Sequence, residues 1–237
     1  MMPCVWSRHP SFRRAAIGAA LACALTCASA SAAAAPATLT TDARCYLQGA
    51  PLRMTANGLT PDAPLTVSLD RQTLSYGDGS KPVADAAGSF VSSFATPALA
   101  PGAVQQRHVL AVGDGRQRPK ARFTVTRPTG ADLQPSSGNP RTLRARFKVW
   151  DFALVDGASR VPVWLHWVSP AGRVRQSAAL GTTGGDCGTL TTAPRRVFPF
   201  DAEAGRWVLV LDTQRRYRVQ TSGPRAKIPV HVRSIPL

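Results

Sequence analysis

Along most of this chain the hydrophobic positions recur at two-residue spacing in short runs, and no window sustains the three- and four-residue spacing of an amphipathic helix. "RTLRARFKVW" is the plainest case. Leu143, Ala145, Phe147 and Val149 alternate with Thr142, Arg144, Arg146 and Lys148, which predicts a strand with one buried face and one wet, cationic face. "VPVWLHWV" also alternates, Val161, Val163, Leu165 and Trp167 against Pro162, Trp164, His166 and Val168, but both sets hold bulky apolar groups. That predicts a strand covered on both faces. Turned outward instead, Trp164 and His166 would make an aromatic platform for a glycan or a partner protein.

The runs "PLRMTANGL", "PLTVSLD", "GSFVSSFA", "RHVLAVGDG" and "ARFTVTR" are divided by Pro, Gly and Asp turns, and the chain carries 20 prolines and 19 glycines. This spacing predicts an all-β sandwich over 36–127. "PTGADLQPSSGNP", Pro128 to Pro140, has the composition of a linker. After it the pattern begins again over 141–237: "DCGTLTTAP" stands where "AAGSFVSSFATP" stood, "RWVLVLDTQRRY" answers "RHVLAVGDGRQR", and "KIPVHVRSI" answers "ARFTVTR". Each half has a turn glycine, Gly88 or Gly188, followed by Ser or Thr and a bulky apolar residue, and later an apolar strand ending in Asp114 or Asp212. The expected fold class is all-β, two tandem immunoglobulin-like β-sandwich domains after a signal peptide, although the cysteine pair of an antibody domain is missing from each half.

The signal-peptide expectation rests on 1–35. Arg8, Arg13 and Arg14 precede an apolar run from Ala15 to Ala28, and small residues follow it, with Ala30, Ala32 and Ala34 as cleavage points. The run is shorter than the roughly 20 residues of a spanning helix. Lipidation at Cys23 or Cys27 would place Ala20 or Ala24 where leucine is usual, so simple export is expected, to the cell envelope or beyond. No later stretch is long and apolar enough to span a membrane as a helix.

Removal of that segment takes Cys4, Cys23 and Cys27 and leaves Cys45 and Cys187 in an oxidising compartment. A bridge between them is the expected state, one domain clamped to the other. The alternatives are two free or intermolecularly paired thiols, or a nucleophilic Cys187. The last would need a base, and after residue 35 the only histidines are His108, His166 and His231. The L,D-transpeptidases offer the nearest cysteine pattern, but they follow their cysteine closely with arginine, where this chain has Gly188, Thr189 and Leu190.

Charge adds a surface. Three of the 29 Lys+Arg precede residue 36, so 26 remain against 13 acids. The part from 128 onward holds 16 cations and 7 anions, whereas 36–127 has a net charge of +4. Arg144, Arg146 and Lys148, with Arg173 and Arg175, form a candidate polyanion-binding surface on the second domain, since arginine suits phosphate and carboxylate. The competing reading is that such charges blunt exposed strands. Nucleic acid is not expected as a partner, for no recognition motif is visible. Familiar catalytic signatures are absent too: no G-x-S-x-G, no P-loop, no dinucleotide fingerprint, and no histidine pair at metal-ligand spacing. The carboxylates Asp151, Asp156, Asp201 and Glu203 fall in expected turns. The chain therefore reads as a non-enzyme without cofactor, binding an anionic cell-envelope polymer, or serving as architectural partner of another exported protein.

Taken together, "NGLTPDAPLTVSLD", "ADAAGSF", "VPVWLHWVSPAGR", "LGTTGGDCGTL" and "GRWVLVLDTQRRY" resemble a recurrent kind of exported actinobacterial protein with two tandem immunoglobulin-like domains. The resemblance covers most of the chain after the signal segment. It implies the fold and the export, and brings no activity or site residues to carry over. In the strand matching 163–168, where that group often has tyrosine and histidine, this chain reads "VWLHWV".

Overall fold

A computed structural model describes residues 35–75, 79–153 and 160–233. Residues 1–34, nearly all of the segment expected to be a signal peptide, and Asp156 lie outside the described residues.

The alternation becomes sixteen strands, and among the described residues there is no helix. The first eight are β1 (Thr38–Thr41), β2 (Cys45–Leu47), β3 (Pro51–Asn57), β4 (Thr66–Leu69), β5 (Gln72–Thr73), β6 (Phe90–Ala95), β7 (Gln105–Gly113) and β8 (Lys120–Thr126). They form two sheets, β1-β3-β6 and β2-β8-β7-β4-β5, antiparallel except where β2 runs parallel to β8. Inward residues of both sheets, Leu52, Met54, Leu110 and Phe123 among them, close a core. The second eight are β9 (Gly130–Gln134), β10 (Arg144–Trp150), β11 (Pro162–Val168), β12 (Val174–Thr182), β13 (Leu190–Thr191), β14 (Arg195–Arg196), β15 (Gly205–Asp212) and β16 (Arg225–Val232). One sheet has β10 between β9 and the short pair β13 and β14; the other runs β12-β11-β15-β16. Their separate core is built on Phe147, Leu165, Trp207 and Leu209.

With A, B, C, C′, E, F and G standing for β1, β3, β4, β5, β6, β7 and β8 in the first half, and for β9, β10, β11, β12, the pair β13 and β14, β15 and β16 in the second, both halves place A-B-E in one sheet and C′-C-F-G in the other, with β2 an added strand beside β8. That is the strand order of an immunoglobulin-like sandwich. The repeat extends to backbone contacts. Gly88 in the first half and Gly188 in the second both have left-handed φ, 72° and 60°, and each carbonyl accepts from the residue just past the B strand, Leu59 or Phe152.

The linker reading needs correction. Gly130–Gln134 is a strand, paired with Arg146–Trp150 over five residues, and its Leu133 is buried in the second core. The second sandwich therefore begins at Gly130 rather than 141. An edge strand that buries a single side chain shows no period, so its sequence looks like a loop.

Strand β2 matters because it carries Cys45. Its neighbour Tyr46 packs edge-on against Phe123, and its hydroxyl donates to Asp42 at 2.6 Å and accepts from the Ala43 N–H at 2.7 Å. Burial and the bond to Asp42 push that phenol up to about 12.

Candidate binding surface and the clamp

Cys45 and Cys187 form a disulfide, with Cα atoms 5.2 Å apart and a separation of 142 positions in the chain. Cys187 sits in a tight turn closed by reciprocal Gly184–Thr189 backbone bonds of 2.8 Å, and is 1% exposed. Its neighbour Asp186 accepts a hydrogen bond from the Thr124 hydroxyl of the first sandwich at 3.3 Å. Bonded in this way, Cys187 has no thiolate to offer, which overturns the nucleophile reading. The bridge ties one sandwich to the other.

On β10 the expected alternation is observed. Ala145, Phe147 and Val149 are fully buried, Arg144 and Arg146 are exposed, and Lys148 is half-buried on the outward face. Register adds what spacing could not show: Arg144 lies directly opposite Arg196 of β14, while Lys148 has Asp132 on one side and Thr191 on the other. Cross-strand partners share a face, so Arg196 joins the cationic row. Sequence reasoning left Arg196 out because a two-residue strand has no readable period. Arg144 donates to the Pro194 carbonyl at 3.0 Å, and no member of the row is in an ion pair with a described residue. Like charges directly opposed destabilise a sheet, and an anion across them reverses the sign of that term. Trp150 closes the row. Its indole donates to the Pro128 carbonyl at 3.0 Å and covers Gly130, where a Cβ would stand 2.4 Å from the ring.

Arg173 and Arg175 do not belong to this row. They come from the β11–β12 turn and β12, in the opposite sheet, and line a cleft of about 600 Å³ shared with Asp201 and Glu203. The five cations picked from sequence are thus two groups, one of which faces acids.

The aromatic platform is also corrected. His166 is completely buried and Trp164 half-buried, because residues 213–224 fold over the outer face of β11. Tyr217 meets the imidazole edge-on at 5.5 Å, and the Arg215 guanidinium lies 5.8 Å from the Trp164 ring centre. His166 Nε2 is 3.1 Å from both Asp212 Oδ1 and the Gln214 carbonyl. A carbonyl only accepts, so Nε2 bears a hydrogen, and Nδ1 lies 2.7 Å from the exposed Ser177 hydroxyl. Hydroxyl, imidazole and carboxylate stand in line. Asp212 also accepts from Arg225 at 2.7 Å. The cluster anchors the loop. Nothing in spacing connects Asp212, His166 and Arg225, and sequence reasoning missed them as a unit.

The other two histidines lie elsewhere. His108 is buried beside Asp70 at 2.6 Å and stacked on Phe123, and His231 is exposed. Among the described residues no group of three His, Cys, Asp or Glu could hold a metal ion. Asp151, at φ 57°, accepts from the Thr129 hydroxyl at 2.9 Å, and burial pushes its carboxyl up.

No protein-family model and no curated protein matches the chain. Among solved structures it is similar to bovine butyrophilin, with 10% identity and a TM-score of 0.32, covering 84% of this chain and all of that one. A superposition so loose adds nothing to the sheets, and the fold assignment rests on the strand order. The disulfide is consistent with an extracellular protein.

Proposed function

We propose that this chain is an exported, non-catalytic binding module that holds an anionic cell-envelope polymer on the outer face of β10. The observation that supports this most is the row of Arg144, Arg146, Lys148 and Arg196, none of them in an ion pair with a described residue, with two of its arginines directly opposed and Asp132 the one carboxylate among its cross-strand partners. A flat cationic sheet face suits a flexible polyanion better than a compact ligand. Its guanidinium forks bind phosphate or carboxylate at successive points, and affinity follows ionic strength. Export by a cleaved signal would place the protein where such polymers are.

The test is co-sedimentation of the chain from Pro36 onward with purified envelope polymer across a salt series, beside a variant with Arg144, Arg146 and Lys148 changed to serine. Binding that weakens with salt and with the substitutions supports the reading. Absence of binding at low salt, or binding indifferent to the three substitutions, overturns it.

A further inference from the structure

The cations of the first sandwich look scattered in sequence, but the β7–β8 hairpin gathers them. Arg107 stands opposite Thr124, Val109 opposite Arg122 and Ala111 opposite Lys120, so Arg107, Lys120, Arg122 and Thr124 share the face turned away from the core. Beyond β8, strand β2 brings in Arg44 next to Cys45. Arg44, Lys120 and Arg122 line a cleft of about 750 Å³, with Leu39 and Ala121 supplying apolar wall. Asp186, from the second sandwich, is the one carboxylate lining it. None of the three cationic side chains has a hydrogen bond or ion pair among the described residues, and all three are exposed.

Two of the lining residues are immediate neighbours of the bridged cysteines, Arg44 of Cys45 and Asp186 of Cys187. Eight of the nine lining residues come from the first sandwich, and Asp186 is the one that the second supplies. We infer that this cleft binds a terminal phosphate carried on a sugar or polyol.

Charge, size and lining chemistry converge on that class. Three cations against one carboxylate leave two positive charges, which matches a phosphomonoester at neutral pH, roughly −1.5 to −2. Two guanidinium forks and an ammonium give several donors to one tetrahedral group. The volume exceeds a bare phosphate and lies within the range of small-molecule sites. Thr40 and Thr41 each donate their hydroxyl hydrogen to backbone carbonyls, of Thr55 and Ala43, which leaves their oxygens free to accept from ligand hydroxyls. Leu39 and Ala121 suit the C–H face of a sugar or polyol.

This site is independent of the β10 surface. Isothermal titration with glycerol 3-phosphate, with glycerol and a glycerol-phosphate oligomer as comparison ligands, tests it. Saturable binding of glycerol 3-phosphate and none of glycerol is expected. Changing Arg44 and Arg122 to serine should weaken binding roughly tenfold or more, the scale of lost charged hydrogen bonds. Asp186→Asn should tighten it by removing a like charge. The serine variant of Arg144, Arg146 and Lys148 should bind glycerol 3-phosphate as the parent does, so either surface can fail alone. No saturable binding to the parent, equal binding to the Arg44/Arg122 variant, or binding of the oligomer without the monomer would each overturn the inference.

Discussion

Gly88→Ala and Gly188→Ala should be among the most damaging single-methyl substitutions in this protein, and the reason is a contact both halves repeat. A Cβ on Gly88 would lie 2.2 Å from the Leu59 carbonyl oxygen, and one on Gly188 2.5 Å from the Ala153 nitrogen and 2.7 Å from the Phe152 carbonyl carbon. All are backbone atoms, which cannot swing aside as a side chain does. Left-handed φ by itself costs an alanine about 1–2 kcal/mol. Relieving the overlap breaks the Leu59 or Phe152 N–H bond to the glycine carbonyl, about 1 kcal/mol. It also shifts a core residue, for Leu59 is 4% exposed and Phe152 fully buried, which adds about 1–2 kcal/mol. The expected loss is roughly 3–5 kcal/mol at either site.

Gly172 supplies the control. It has φ 75° in the β11–β12 turn and nothing within 4 Å of a Cβ, so Gly172→Ala should cost about 1–2 kcal/mol, from φ alone. Equilibrium urea unfolding reads all three. The four tryptophans after residue 35, Trp150, Trp164, Trp167 and Trp207, all lie in the second sandwich, so in the chain from Pro36 onward fluorescence follows Gly188→Ala and Gly172→Ala, and far-ultraviolet dichroism follows Gly88→Ala. Equal losses for Gly88→Ala, Gly188→Ala and Gly172→Ala would refute the close-approach argument.

Two further outcomes test polar groups. Asp212→Ala leaves the buried His166 and the nearly buried Arg225 without their carboxylate, and should destabilise the second sandwich by about 3–5 kcal/mol and speed amide exchange across 213–224; a loss below about 1 kcal/mol would show that the loop does not depend on this cluster. Asp114 accepts from the N–H groups of Gln117, Thr60 and Arg116 and from the Thr60 hydroxyl, which hold its carboxyl well below the usual range. Because the folded value lies below the unfolded one, that stabilisation is complete above about pH 4 and is lost as pH falls through the folded value. Asp114→Asn should therefore flatten the acid limb of a urea-midpoint profile for the first sandwich, and an unchanged limb would sink the assignment.

What the sequence determined was local. Burial on every second residue is a property of one strand, so the two faces of β10 were legible from Arg144 to Val149 alone, and the all-β class from the recurrence of such runs between turns along the chain. The repeat was legible as well, since Gly88 and Gly188 mark a backbone conformation that side chains disfavour. Cysteine count narrowed the pairing, but the approach of β2 to the Gly184–Thr189 turn decided it. Tertiary structure alone decided that His166 is buried, since its cover arrives from 213–224, and that Arg196 joins Arg144 while Arg173 and Arg175 do not. The gathering of Arg44, Lys120 and Arg122 likewise needed a hairpin register and a crossover. The physical division is that periodicity reports which way a side chain points within its own strand, whereas the identity of whatever lies opposite is set by strand pairing between segments far apart in the chain.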